Sequence, residues 1–260
     1  MTAAAVVLHT VEDGPADAPV VVLGGSLGST LAMWKPQLPA LTDRYRVIRY
    51  DHRGHGGSPA PPGPYDLPDL AADVLALLDR LGLDRISYCG LSLGGMVGMR
   101  IAADAPDRVD RLVLCCTAAR MDPAAWAERA AGVRAGGTAA IADTVVSRWV
   151  TPGYRQRHPD VVEEMAQMIR TTSDAAYEAC CGAIARMDLR PVLPSITAPT
   201  LVVAGAQDPA TPPQHAYDIA AAIPGARVEV VADAAHLANV ERAEEVNRLL
   251  RDHHDPAARS

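Results

Sequence analysis

The chain alternates short runs rich in β-forming residues with longer stretches whose apolar residues recur every three or four positions. Val20-Val21-Val22-Leu23 is apolar without interruption, the pattern of a strand buried on both faces of a sheet. Strand signals return at 45–50, 85–89, 111–115, 200–204 and 227–231, and 4–10 predicts a first strand before the turn residues Asp13-Gly14-Pro15-Ala16-Asp17. Helical spacing lies between them. One helix is expected over roughly 30–41. A second is expected after the proline-rich crossing Pro59 to Pro64, where Asp66 caps, Asp69 follows three residues on, Leu67, Leu70, Val74, Leu77, Leu78 and Leu81 share a face, and Gly82 ends it. A third should run from residue 93 to about Ala105. This alternation predicts a mostly parallel central sheet flanked by helices.

The rhythm stops between β-like runs at 111–115 and 200–204. Residues 120–188 hold no convincing buried strand but four helical stretches, near 123–135, 138–149, 159–170 and 174–187. An insertion at this point is expected over the carboxyl edge of the sheet, where α/β active sites lie. The expected division is a first core part over 1–119, a helical cap over 120–190 and a second core part over 191–260. Trp126, Trp149 and Met165 are candidates for lining a pocket, with plain core packing as the competing reading.

Composition narrows the class. With 260 residues, 49% hydrophobic and 21% charged, the chain suits a globular enzyme built as one large domain or a core with an insertion. A net charge of −7 without any basic block argues against nucleic acid as a partner. No apolar run approaches a membrane span and Met1-Thr2-Ala3-Ala4 carries no charged leader region, so a cytoplasmic protein without membrane contact is expected. Cys89, Cys115, Cys116, Cys180 and Cys181 include vicinal pairs that bridge poorly, which predicts reduced thiols. Lys35 is the sole lysine among 24 basic residues, and with no phenylalanine the large core positions fall to Trp, Tyr, Leu and Met. The oligomeric state stays open at this level.

The chemistry centres on Gly90-Leu91-Ser92-Leu93-Gly94, preceded by a strand signal and followed by a helical one. That is the strand, sharp turn and helix which a G-x-S-x-G nucleophile elbow requires, with a glycine-rich turn and an incidental serine as the bland alternative. Ser92 would stand exposed above the sheet, and the amide of Leu93 at the helix start would face a developing oxyanion. The loop Gly24-Gly25-Ser26-Leu27-Gly28 follows another strand and can offer the second amide, that of Leu27. A phosphate loop is the competitor, but no lysine follows in Walker spacing. Asp51, His52 and His55 invite a metal reading; their setting among glycines favours a hydrogen-bonded turn, and no metal or cofactor is expected. Asp208, held between a strand end and prolines, is the candidate triad acid, and His236, after the last strand, the candidate base.

The order Ser92, Asp208, His236 is that of the α/β-hydrolase fold. Several segments carry a closer likeness: Gly25-Ser26-Leu27-Gly28 with Met33-Trp34, Tyr50-Asp51-His52-Arg53-Gly54-His55-Gly56, Cys89 to Met96, Met187-Asp188-Leu189-Arg190, Asp208 to Pro213, and Ala234-Ala235-His236-Leu237-Ala238-Asn239. Together they resemble the 3-oxoadipate enol-lactonases of the β-ketoadipate pathway, along nearly the whole chain. One departure from many hydrolases is Gly25-Ser26 where His-Gly is common. The resemblance implies Ser92 as nucleophile, His236 as base, Asp208 as its partner, and a small lactone as substrate. Because such a lactone bears a carboxylate, a cation is expected in the cap, with Arg129, Arg134 and Arg148 as candidates and Arg129 one turn beyond Trp126.

Three other readings stay open. A general carboxylesterase or a cofactor-free perhydrolase would use the same three residues with another pocket. A hydrolase-fold ligand-binding protein would keep them with slow turnover. A cysteine nucleophile is weak, since Cys89 precedes the elbow and should be buried in the strand.

Overall fold

In a computed structural model that describes residues 4–255, the strands are β1 (Thr10–Asp13), β2 (Val20–Gly24), β3 (Arg46–Tyr50), β4 (Ile86–Leu91), β5 (Val109–Cys115), β6 (Thr200–Gly205) and β7 (Arg227–Val231). They form one sheet in the order β1-β3-β2-β4-β5-β6-β7, parallel except for β1, which runs antiparallel to β3 at one edge. The strand order therefore reverses direction between β2 and β4, where Gly24 sits opposite Gly90. Loops leaving such a switch point diverge and open a crevice. The residues of 1–3 and 256–260, assigned to the core from sequence, lie outside the described part.

The early helices are α1 (Leu38–Leu41), α2 (Leu67–Arg80) and α3 (Leu93–Asp104). In α2 the Asp69 carboxylate accepts the amide of Asp66 at 2.8 Å, closing the expected N-terminal box. Between β5 and β6 come α4 (Pro123–Trp149), α5 (Pro152–Arg157), α6 (Pro159–Arg170) and α7 (Asp174–Arg186). The break expected between 123–135 and 138–149 is a kink inside α4 at Gly137, whose φ of 72° is left-handed. Asp174 Oδ1 caps the new start by accepting the Thr138 amide at 2.7 Å. After β6 follow α8 (Pro213–Ala222), α9 (Ala238–Glu241) and α10 (Ala243–His254).

Three expectations need correction. The first strand is Thr10–Asp13, not 4–10. Two amides of the segment 4–9 go to side chains instead of a ladder: Val6 N–H donates to Asp73 Oδ1 at 2.8 Å and His9 N–H to Ser58 Oγ at 2.8 Å. The helix expected over 30–41 is a 3-10 helix over Leu31–Gln37 that passes into α1, because Pro36 has no amide to continue an α ladder. Helices α5 and α8 are additions that the pattern does not announce; both start on prolines, which read as loop in sequence but suit a first helical turn.

In a chain without phenylalanine, Tyr50, Tyr65, Tyr88 and Tyr177 are, with Trp34, the large aromatic side chains that are fully buried among the described residues. Tyr50 and Tyr88 are fully buried under the elbow, their hydroxyls 2.7 Å apart, and the Tyr88 hydroxyl donates to Gly94 O at 3.0 Å. Each ring buries apolar area while its polar tip is bonded, so no hydroxyl is stranded there. All five cysteines are free and buried. Among the described residues, no helix is long and apolar enough to cross a membrane.

Buried histidines make the fold acid-sensitive. Burial, then the neighbouring His253 and Arg111, pushes His254 down to about 3, and neither of its ring nitrogens has a partner among the described residues. Such a ring stays neutral in the folded chain while the unfolded chain takes up its proton below about 6.5. The unfolded state thus binds more protons between these values, and stability falls on acidification through that window, by at most ~1.4 kcal/mol per pH unit for each histidine. We expect the urea midpoint to drop from pH 7 to pH 4.5, and His254→Leu to flatten that drop; an unchanged slope in the variant would refute the assignment.

Candidate active site

Four loops meet at the carboxyl ends of the central strands. The first is the elbow. Strand β4 ends at Leu91 and α3 starts at Leu93, which leaves Ser92 to make the whole turn with φ 56° and ψ −114°. A non-glycine residue in this region is strained and persists only when its surroundings hold it. Here the Ser92 amide donates to Cys115 O at 2.9 Å, and Thr117 Oγ1 donates to Ser92 O at 2.7 Å. The flanking glycines are steric requirements: a Cβ on Gly90 would lie 2.2 Å from Gly94 O, and one on Gly94 2.2 Å from Gly24 O.

The second loop is 25–29, after β2. Gly25 O accepts both the Gly94 amide at 2.9 Å and His52 Nε2–H at 3.0 Å. Ser26 N–H points at Met33 Sδ, 3.3 Å away, and Gly28 N–H donates to His55 Nε2 at 2.9 Å. His55 Nδ1 lies 3.0 Å from Arg53 O, a group that only accepts, so the proton sits on Nδ1 and Nε2 is free to receive the Gly28 amide. Burial holds both rings neutral: His52 is pushed down to about 3 by burial and by His55, and His55 is lowered by burial. Between these engaged neighbours, the Leu27 amide donates to no protein acceptor among the described residues, and neither does that of Leu93 at the start of α3.

The turn 51–58, read from sequence as a hydrogen-bonded turn, thus supports this second loop. Buried Asp51 accepts the amides of Leu31 at 2.6 Å and Gly57 at 3.0 Å and pairs with His9 Nδ1 at 2.8 Å. Nothing in the sequence signalled that His52 and His55 brace residues 25–28.

The third and fourth loops carry Asp208 and His236. His236 Nδ1 lies 2.8 Å from Asp208 Oδ2, with both side chains buried. Thr211 Oγ1 donates to the same oxygen at 2.7 Å, while the amides of Ala210 and Thr211 donate to Oδ1 at 2.8 and 3.0 Å. Burial alone would raise the Asp208 carboxyl; His236 and the Thr211 bonds outweigh it and hold the pKa below its usual value. Asp208 therefore stays an acceptor, which orients the imidazole with Nδ1–H toward it and leaves Nε2 as the basic nitrogen.

These loops enclose a cavity of about 30 Å³ with part of the helical segment. Ser26, Leu27, Ser92, Thr211 and His236 contribute from the sheet side, and Trp126, Arg129, Arg148 and Trp149 from α4. The Arg129 guanidinium lies 5.0 Å over the Trp126 ring and 5.8 Å from the Tyr177 ring. Neither Arg129 nor Arg148 forms an ion pair among the described residues. Arg134 is elsewhere: its Nε donates to Glu178 Oε1 at 3.0 Å on the outer surface. Met165 is buried in the helical core and does not reach the cavity. Thr211 and Met121 line the wall without having been singled out from sequence; the only hint for Thr211 was its place three residues after Asp208 in a proline-bounded turn.

A parallel sheet with one antiparallel edge strand, a serine in a strained strand-to-helix turn and a histidine–aspartate pair beside it are the features of one large class of hydrolases. The family model described as alpha/beta hydrolase fold matches residues 18–243, and the chain belongs to that family. Among curated relatives, 3-oxoadipate enol-lactonase 2 of Acinetobacter baylyi is 40% identical over 96% of this chain and 94% of its own. A solved enol-lactonase from Burkholderia xenovorans superposes with a TM-score of 0.93 at 43% identity, covering 95% of each chain. A relative from Stutzerimonas stutzeri carrying a RutD carbamate-hydrolase name is 32% identical over 91% of this chain and 92% of its own.

Proposed function

We propose that this protein is a serine hydrolase that opens the ring of a carboxylate-bearing lactone, with 3-oxoadipate enol-lactone as the substrate and 3-oxoadipate as the product. The observation that carries this choice is the pair of guanidiniums, Arg129 and Arg148, without acidic partners in the same cavity as Ser92 and His236. Arg129 is half-buried and Arg148 exposed, so each can reach into the cavity from its rim, and an anionic substrate supplies the partner that neither has among the described residues. The names of the enol-lactonase relatives support the same substrate.

In this reading Ser92 Oγ attacks the lactone carbonyl while His236 Nε2 takes its proton, and Asp208 stabilises the imidazolium. The amides of Leu27 and Leu93 receive the oxyanion, each worth about 3 kcal/mol in the transition state. Collapse breaks the ring C–O bond and expels an enolate, which takes the proton from His236 and becomes a ketone. Water, deprotonated by His236, then releases the acid from Ser92. Residues 120–190 act as the cap, and 1–119 with 191–260 as the core. At about 30 Å³ the cavity holds no more than a water or two, so productive binding needs the cap side chains to move apart. Free, buried thiols support a cytoplasmic setting.

The test is kcat/KM on 3-oxoadipate enol-lactone beside p-nitrophenyl acetate and a simple carbamate. Preference for the lactone supports the proposal; preference for the neutral ester reduces it to a general esterase, and preference for the carbamate moves it to the chemistry in the RutD name. Arg129→Leu and Arg148→Leu should each raise KM for the lactone about 10- to 100-fold, the worth of one charge-assisted hydrogen bond, and leave p-nitrophenyl acetate nearly unaffected.

A further inference from the structure

The loop that carries His236 is held from two sides. On the sheet side its carbonyls are engaged: Ala234 O accepts the Gln207 amide at 2.8 Å, and Ala235 O sits so close to Gly205 that a Cβ there would lie 2.1 Å away. On the other side its amides are engaged, and both lead to the end of α4. Leu237 N–H donates to Trp149 O at 2.7 Å. Ala235 N–H donates to Glu241 Oε2 at 3.0 Å, and the same carboxylate accepts the Thr151 amide at 3.2 Å and the Thr151 hydroxyl.

The two residues that flank His236 are thus bonded to segment 149–151, one directly and one through Glu241. Trp149 also lines the cavity, so one residue both borders that space and holds the histidine loop through its carbonyl. We infer that Glu241 is a positioning residue: it sets His236 in register with the cap, so that the base is correctly placed only when the 149–151 segment is seated. This rests on the serine-hydrolase reading above. Glu241 touches neither substrate nor the reacting atoms. Its effect is expected in turnover and not in affinity, because a misplacement of about 1 Å at the base costs up to ~100-fold in rate.

The test compares wild type with Glu241→Ala, Glu241→Gln and Thr151→Val in steady-state kinetics and thermal unfolding. Glu241→Ala should lower kcat about 10- to 100-fold while KM stays within about threefold. Glu241→Gln, which keeps one acceptor oxygen, should fall between it and wild type. Thr151→Val should lower kcat in the native background and add nothing to the kcat loss in the Glu241→Ala background, since both reach the histidine loop through one link; the bond that the Thr151 hydroxyl accepts from the Tyr154 amide at 3.3 Å is read separately, in thermal unfolding. A loss carried by KM, or full additivity of the two changes, would overturn the inference. If Glu241→Ala does not fold, Glu241→Gln and Thr151→Val decide by the same kcat criterion. Retained turnover in Ser92→Ala would remove the hydrolase reading and this inference together; a native kcat in folded Glu241→Ala beside an inactive Ser92→Ala would remove this inference alone.

Discussion

Ser92→Ala should lower kcat by about 10⁵-fold or more, with the melting temperature within a few degrees of wild type. The size follows from the proposed chemistry. Without the hydroxyl no acyl-enzyme forms, and what remains is the acceleration that the oxyanion amides and binding supply by themselves, of order 10³–10⁴ over water. The fold should be indifferent, because the bonds that hold the turn come from the Ser92 backbone: its amide to Cys115 O and its carbonyl from Thr117. The strained φ of 56° is carried by alanine as it is by serine. Stopped-flow mixing with p-nitrophenyl acetate should give a burst with wild type and none with the variant. A residual rate within tenfold of wild type would place the nucleophile elsewhere.

The largest effect on stability is expected at Asp73. Arg53 and Asp73 form a fully buried pair, Nε to Oδ2 at 2.6 Å and Nη2 to Oδ1 at 2.7 Å. Arg53 Nη2 also donates to Asp69 O at 3.2 Å, the guanidinium lies 5.0 Å over the Tyr65 ring, and Nη1 has no partner among the described residues. Burial alone would lower the Arg53 pKa; the Asp73 carboxylate reverses this and raises it. Asp73→Ala therefore leaves a charged guanidinium inside the protein and also strips the Val6 amide of its acceptor. The expected cost is ~4 kcal/mol, or about 10 °C in melting temperature for a chain of this size. The double variant Arg53→Met, Asp73→Leu should recover much of that loss, because it removes the uncompensated charge. A cost below about 1 kcal/mol for Asp73→Ala would show that water reaches the guanidinium. Arg53 stands between His52 and His55, so activity should fall with stability through the loop that presents the Leu27 amide.

How far sequence reaches can be judged residue by residue. The strands at 20–24 and 200–205 were legible because a strand buried on both faces is apolar at nearly every position, and the one at 46–50 from the β-formers Val47, Ile48 and Tyr50. The helix at Leu67–Arg80 was legible from its cap and its single apolar face. The first strand was misplaced because residues 4–9 have strand composition but find side-chain acceptors, Asp73 and Ser58, that are distant in the chain. Helix α8 was silent because prolines before it read as loop. Around the candidate site, the spacing of glycines marked Ser92, since the close approaches at Gly90 and Gly94 are local to the turn.

By itself, then, the sequence determined the alternating architecture, the place of the helical segment and the order Ser92, Asp208, His236, all of which rest on local periodicity and turn chemistry. Only the tertiary structure decided which arginines share the cavity: Arg129 and Arg148 lie in its wall, whereas Arg134 pairs with Glu178 outside. It alone also assigned His52 and His55 to residues 25 and 28, and Glu241 to Ala235 and Thr151. The physical reason is that a periodicity reports which face of an element is apolar. The partner of a polar side chain depends on how elements far apart in the chain are stacked, and no local pattern encodes that.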